Sequence, residues 1–401
     1  MVRKRVLFVL NAAGGGATQG IKEYLRYQRD IDAYLVLPTK PNPIQEEWIS
    51  EFTKGYIVCE MPWWNLPNGM PWIYKKILHW KNNRKGKSGE KGAEIIANFI
   101  KKNAIDFVYT GSILIREGAL AARKAGIKHF WHIKETFGEN GRVKFVMRDD
   151  ELQNFILNYS DRVICMTDYI RSFFNQNIDS PKLLVIHDGI DPKLFFGDSK
   201  EKRMAIREKY GIADDETLVG MVASLSSIWK NHKVFIKAAA ILPRNKKFRF
   251  IAFGPEPKRS RNPIYNTGFK YYTGLKSLVI NLGLQNNFIW AGFFDDIPAL
   301  FQGLDVFIHP CETEPFGRVV IEAMAAGVPL IVPNSGGASE PVKELEIGFR
   351  FDPNNENDLA EKVMVVVEKG LERNFEKNKI ILINSTYSLD AYVRNMNQLF
   401  E

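Results

Sequence analysis

The chain has 401 residues, 45% hydrophobic and 25% charged, a composition that excludes disordered and fibrous proteins and suits two or three globular domains. Its three cysteines, Cys59, Cys165 and Cys311, are too few and too far apart for a disulfide framework or a paired-cysteine zinc site, which fits a reducing cytoplasm, and no apolar run approaches the roughly 18–20 residues that span a bilayer. The net charge of +9 favours anionic partners.

At the N-terminus Arg3-Lys4-Arg5 precedes Val6-Leu7-Phe8-Val9-Leu10, which imitates a secretion signal. Asn11 and Gly14-Gly15-Gly16 end that run at once, so it reads as a buried strand entering a glycine-rich loop. Strands are expected next at Ala33–Leu37 and Tyr56–Val58. Between Trp72 and Lys102 stand nine basic residues (Lys75, Lys76, Lys81, Arg84, Lys85, Lys87, Lys91, Lys101, Lys102) against two acidic ones, Glu90 and Glu94. Trp63, Trp64, Trp72, Ile73, Ile77, Leu78 and Trp80 are interleaved with or lie close to them. Cations and aromatics mixed in this way suit peripheral contact with an anionic membrane, and a solvated helix face is the alternative. No nucleic-acid-binding signature accompanies the charge.

Further strands are expected at Phe107–Tyr109, His129–His132, Arg162–Met166 and Leu183–Ile186. A second set follows at Leu218–Val222, Arg249–Phe253, Asn287–Trp290, Val306–His309, Leu330–Val332 and Phe349–Phe351. Short Val/Ile/Phe-rich runs alternating with helical-period segments predict an α/β protein with parallel sheets covered on both faces. Two sets predict two Rossmann-like domains, 1–192 and 193–385, with a C-terminal helix over 386–401 that packs back on the first. Ligands of such sheets bind beyond the carboxyl ends of the strands, so a cleft between two facing domains is the expected site.

The stretch with most chemistry runs from Asp305-Val306-Phe307-Ile308-His309 through Pro310-Cys311-Glu312-Thr313-Glu314-Pro315-Phe316-Gly317 into a helix that contains Val319 and Glu322. A glycine at a helix start lets backbone N–H groups meet an anion, with the helix dipole adding to the attraction. Two carboxylates about two turns apart can serve different parts of one ligand, and a carboxylate suits a vicinal diol such as ribose. The plainer reading is a helix cap with acidic residues in its first turn.

These residues do not stand alone. Ala291-Gly292-Phe293, Ile297-Pro298-Ala299-Leu300-Phe301, Leu304 to Pro310, Glu314-Pro315-Phe316-Gly317, Glu322-Ala323-Met324-Ala325-Ala326-Gly327-Val328-Pro329 and Gly336-Gly337-Ala338-Ser339-Glu340 together resemble the donor domain of family 4 glycosyltransferases, retaining enzymes of the GT-B fold. Val185-Ile186-His187-Asp188-Gly189-Ile190-Asp191 is similar to the family's segment at the domain junction, with Asp188 where Asn is usual and Phe195 as the apolar residue that follows. Trp229-Lys230-Asn231-His232 resembles the motif whose lysine neutralises the donor diphosphate; a compact ammonium suits a departing nucleotide diphosphate. Where the family commonly has an Arg shortly before that Lys, this chain has Ser224-Leu225-Ser226-Ser227.

The resemblance implies roles for these residues in a two-domain GT-B enzyme. Glu322 holds the nucleotide ribose, Glu314 and the backbone of Phe316-Gly317 hold the sugar hydroxyls with Pro315 and Val319 alongside, and Lys230, Gly15 and Gly16 meet the diphosphate. His132, in Phe130-Trp131-His132-Ile133-Lys134-Glu135, is presented toward the sugar near the reaction centre, and Glu135 either contacts the acceptor or is solvated. The catalytic set is therefore Glu314, His132 and Lys230. No apolar strand ends in Asp-x-Asp, so no metal and no cofactor is expected beyond the substrate, a UDP-sugar by preference or a GDP-sugar. The expected partner is a glycan or lipid-linked acceptor of bacterial polysaccharide or lipopolysaccharide synthesis, and the expected location is the cytoplasm, including the inner face of its membrane. A GT-B sugar-nucleotide epimerase, or a non-catalytic sugar-nucleotide-binding partner, is the competing reading.

Overall fold

A computed structural model describes residues 3–14, 16–66, 89–261, 266–345, 348–371 and 377–401. The chain divides into two compact units, residues 1–189 with 386–401 and residues 190–385. It passes into the second unit after Gly189 and returns to the first at Thr386.

The first unit is built on a sheet of seven parallel strands: β1 (Lys4–Val9), β2 (Ile31–Leu37), β3 (Gly55–Val58), β4 (Phe107–Thr110), β5 (Lys128–Ile133), β6 (Arg162–Cys165) and β7 (Leu183–Val185). Their order is β3-β2-β1-β4-β5-β6-β7. Both faces of β1 are covered, which is why its sequence is a continuous apolar run. Val6 and Phe8 face one cluster with Ile21, Tyr24 and Leu25 of the helix Gly16–Tyr27, whereas Leu7 and Val9 face Ala93, Ile96, Ala97 and Ile100 of the helical residues 89–103. The helix Leu389–Asn397, capped by Ser388 Oγ accepting from the Ala391 N–H at 3.1 Å, puts Tyr392 and Met396 into the same cluster as Phe8, and Phe400 follows them.

The second unit repeats the plan with β8 (Thr217–Val222), β9 (Phe248–Phe253), β10 (Phe288–Gly292), β11 (Val306–Ile308), β12 (Leu330–Pro333) and β13 (Phe349–Phe351), in the order β10-β9-β8-β11-β12-β13 and all parallel. Helices His232–Ile241, Thr267–Asn281 and Glu356–Glu368 close one face with Phe235, Tyr272, Leu275, Leu359 and Val363. On the other face Gly220 of β8 is required bare, because a Cβ there would come within 2.5 Å of Leu304. Asp305, just before β11, holds the helix Lys200–Lys209 through Arg203 at 2.5 Å and Arg207 at 3.0 Å.

The tryptophans expected at a membrane surface divide. Trp64 is a core residue: its ring stacks on Trp131 at 6.4 Å, meets Phe145 edge-on at 4.9 Å, and its Nε1–H donates to the Ile113 carbonyl at 2.6 Å. Burial of an aromatic with its N–H satisfied outweighs any interfacial preference, so Trp64 leaves that group. Trp63 is exposed, as are Lys91, Lys101 and Lys102 on the outer side of residues 89–103. Trp72, Ile73, Ile77, Leu78, Trp80 and the other six basic residues of the patch lie outside the described residues. Among the described residues no helix is long and apolar enough to cross a membrane.

Candidate active site

In each sheet the strand order reverses direction at one place, between β1 and β4 and between β8 and β11. The connections leaving the carboxyl ends of those two neighbours must diverge to opposite sides, and the gap they leave is where ligands of such sheets bind.

In the second unit the loops after β8 and β11 meet at this switch point. After β8 the chain makes a single 3-10 turn over Ile228–Lys230 that stops at Asn231, whose φ of 55° is left-handed. The Asn231 side chain donates to the Pro353 carbonyl at 3.0 Å, fixing the turn. Lys230 is thereby delivered to Glu314 Oε2 at 2.5 Å, and its ammonium also lies 4.1 Å from the centre of the Trp229 ring. After β11, His309 Nε2 approaches the same Glu314 oxygen at 3.1 Å.

The charges in this cluster are set by the arrangement. Burial by itself would raise the Glu314 pKa, but the Lys230 charge and the His309 hydrogen bond outweigh it and hold the carboxyl well below the usual carboxylate range. Burial, reinforced by Lys230, keeps His309 below its ordinary value despite Glu314. His309 is thus a neutral imidazole that donates from Nε2 to a carboxylate, since a carboxylate only accepts.

The loop carrying Glu314 is shaped by two glycines. Gly317 has φ 83°, and a Cβ on it would sit 2.7 Å from Ala338. Gly336 has φ 80°, and a Cβ there would lie 2.6 Å from the Glu312 carbonyl; its neighbour Gly337 donates its N–H to the Glu314 carbonyl at 2.8 Å. Beyond Gly317 the helix Arg318–Ala325 begins, with Phe316 buried, Pro315 buried and Val319 half-buried. Glu322 is half-buried one further turn along and accepts from Arg318 Nε at 3.2 Å. In the segment Ser224–Ser227 the Ser224 and Ser226 hydroxyls are hydrogen-bonded to each other at 2.9 Å.

In the first unit Gly15 lies outside the described residues, and Gly16 is the first residue of the helix Gly16–Tyr27. The turn before it is held by Thr18 Oγ1 donating to the Ala12 carbonyl at 3.0 Å. His132 on β5 is fully buried; its Nδ1 shares a hydrogen bond with the Tyr109 hydroxyl of β4, and its Nε2 has no hydrogen-bond partner among the described residues. Burial, with Lys134 adding, depresses its pKa well below the ordinary value, so it is neutral. Glu135 is half-buried and accepts from Ser112 Oγ at 2.5 Å and from the Ile113 N–H at 3.1 Å.

Three residues with roles here did not stand out in the sequence. Lys134 donates to both oxygens of Asp188, at 3.0 and 3.1 Å, and the pair is buried. Gly20 makes room for it, because a Cβ there would be 2.7 Å from the carboxylate. Asp in place of the usual Asn was the available signal, since a buried carboxylate demands a cation nearby. Lys134 also lies two residues beyond His132, the same-face spacing of an extended chain. Tyr109 and His309 carried no signal of their own; only the packing pairs them with His132 and Glu314.

This fold and these switch-point loops define a two-unit α/β protein of the GT-B type, with a carboxylate–lysine cluster at the carboxyl end of its second sheet. Solved structures agree: the chain superposes on HepE of Anabaena, solved with UDP, with a TM-score of 0.77 at 20% identity over 98% of this chain and 99% of that one. It superposes on a glycosyltransferase of Rickettsia africae with a TM-score of 0.76 at 22% identity over 99% and 98% of the two chains. Residues 202–380, which lie within the second unit, match the family model of glycosyl transferases group 1. An uncharacterized glycosyltransferase of Methanocaldococcus jannaschii is 30% identical over 232 residues, 55% of this chain and 56% of that protein. A D-inositol 3-phosphate glycosyltransferase of Mycobacteroides abscessus is 25% identical over 224 residues, 55% and 46% of the two chains. These alignments span about half the length of either relative.

Proposed function

We propose that the protein is a retaining glycosyltransferase that moves a sugar from a nucleotide-diphosphate sugar, a UDP-sugar by preference, to an acceptor hydroxyl without a metal. The observation that carries this reading is the Lys230–Glu314–His309 cluster at the switch point of the unit that matches the glycosyl transferase family, directly ahead of the helix that bears Glu322. Lys230 meets the diphosphate and stabilises its departure, exchanging its Glu314 contact for phosphate oxygens. Glu314 accepts from sugar hydroxyls together with the Phe316–Gly317 backbone, and Glu322 holds the ribose diol. In the first unit His132 serves as a neutral group through Nε2. Retention without a protein nucleophile implies front-face attack: the acceptor oxygen bonds the anomeric carbon as the C–O bond to the diphosphate breaks, and the leaving phosphate oxygen takes the acceptor proton.

The acceptor is proposed to be a lipid-linked or polyanionic glycan, in keeping with the basic 72–102 segment. A neighbour of the same fold, a lipopolysaccharide outer core galactosyltransferase at 14% identity and a TM-score of 0.68, is named for such an acceptor.

The test is a thermal-shift panel of UDP, GDP, ADP and CMP and their sugar conjugates on the wild type and on Glu322→Ala. One nucleotide is expected to raise the melting temperature, and the variant to lose that rise. No response to any nucleotide sinks the reading. Product analysis then separates the enzyme classes, because a transferase releases nucleoside diphosphate only with acceptor present, whereas an epimerase returns an isomerised donor.

A further inference from the structure

The loop that follows β11 holds more chemistry than the proposed transfer uses. His309, Cys311 and Glu314 each offer a ligand atom, and these atoms lie within 4.8 Å of one another. Cys311 is fully buried, and His309 and Glu314 nearly so. Imidazole, thiolate and carboxylate are the ligand types that a tetrahedral zinc-class ion accepts, three from protein and a fourth from water. A soft sulfur ligand discriminates against magnesium and calcium, which prefer all-oxygen shells. All three stand on six consecutive residues whose backbone is fixed by the Gly336–Gly337 contacts, so closing onto an ion requires side-chain adjustment and little else.

We propose that His309, Cys311 and Glu314 form a binding site for a thiophilic divalent cation of the zinc class, which competes with Lys230 for Glu314. On binding, the Cys311 S–H bond breaks and its proton passes to solvent, the His309 ring proton shifts to the nitrogen that does not face the ion, and thiolate and imidazole donate to the metal; no electron is transferred. The thiolate and carboxylate together balance the two charges of the ion. Lys230, at 2.5 Å from Glu314, must swing away, because an ammonium and a dication cannot share that oxygen at this range. The sequence offered no sign of this site, since its spacing is not that of paired cysteines or histidines. The site shares Glu314 and His309 with the cluster behind the functional reading, and one consequence rests on that reading: the ion would antagonise donor binding by occupying Glu314 and displacing Lys230.

Cobalt titration of the full purified chain tests the proposal directly. Cobalt(II) is expected to bind one equivalent and to show both a thiolate-to-metal absorption in the near ultraviolet and the intense visible bands of tetrahedral cobalt. Zinc should bleach both, and magnesium neither. Cys311→Ser should abolish the sulfur absorption, while Cys59→Ser and Cys165→Ser, which alter the other two buried thiols, should keep it. Lys230→Met removes the competing ammonium and should tighten cobalt binding about tenfold or more. Absence of the sulfur band, its persistence in Cys311→Ser, its loss with either other cysteine, or weaker binding in Lys230→Met would each overturn the site. A chain that binds cobalt through Cys311 yet answers no nucleotide keeps the site and refutes the transferase reading instead.

Discussion

Lys134 and Asp188 show how a single departure from a family pattern is absorbed. A buried carboxylate is tolerable only with a cation against it, and removal of the cation costs more than the pair contributes. Lys134→Met alone is therefore expected to lower stability to urea by about 3–5 kcal/mol, whereas Lys134→Met with Asp188→Asn, restoring the family's neutral residue, should recover most of that loss. Costs that simply add in the double variant would show that the two groups are not coupled. Glu117 is the opposite case. It begins the helix Glu117–Ala125, is fully buried, and one carboxylate oxygen has no hydrogen-bond partner among the described residues while the other accepts from the Arg116 N–H at 3.0 Å. Burial pushes its pKa up to about 7, against the pull of Arg116 and nearby backbone N–H groups. The folded chain thus keeps a proton there that the unfolded chain sheds near pH 4–5. Stability from this group is complete below that range, falls as the pH rises toward about 7, and levels off above it. Glu117→Gln should remove this slope and stabilise the protein at pH 8 by on the order of 2–3 kcal/mol, with little effect at pH 4. Denaturation at the two pH values checks it, and equal effects at both would refute it.

At the scale of the element, glycines that look alike in sequence do different work. Gly317 turns the chain from the Glu314 loop into its helix with φ 83°, where an added Cβ would press on Ala338. Gly274 lies inside the helix Thr267–Asn281 with nothing near an added Cβ. Gly317→Ala is expected to cost on the order of 2–3 kcal/mol through left-handed strain and overpacking, and to weaken the nucleotide-induced shift with it. Gly274→Ala should instead stabilise by about 0.5–1 kcal/mol. Thermal melts of the two variants with and without nucleotide distinguish them; a neutral Gly317→Ala would show that the loop does not depend on that turn.

The whole molecule carries its charge unevenly. The net +9 is concentrated between residues 72 and 102, and each cation near an anionic surface contributes about 1 kcal/mol at most. Co-sedimentation with phosphatidylglycerol vesicles is expected, weakening as salt is raised past about 0.1 M and absent with neutral phosphatidylcholine. Equal binding to both lipids, or to neither, would remove the membrane from the proposal.

The strand positions, the parallel α/β class and the Glu314–Glu322 loop were legible in the sequence, because buried parallel strands and helix-opening glycines impose local patterns. Periodicity places Val6 and Phe8 on one face and Leu7 and Val9 on the other without any knowledge of what covers them. What the tertiary structure alone decided are the pairings between residues distant in sequence: Lys230 with Glu314, Lys134 with Asp188, Tyr109 with His132, and Trp64 with Trp131. Each joins loops or strands that only the sheet order makes neighbours. The side chain's chemistry does not encode its partner, so His309 looked like the end of a strand until the fold set it against Glu314, and Trp64 looked interfacial until the core closed over it.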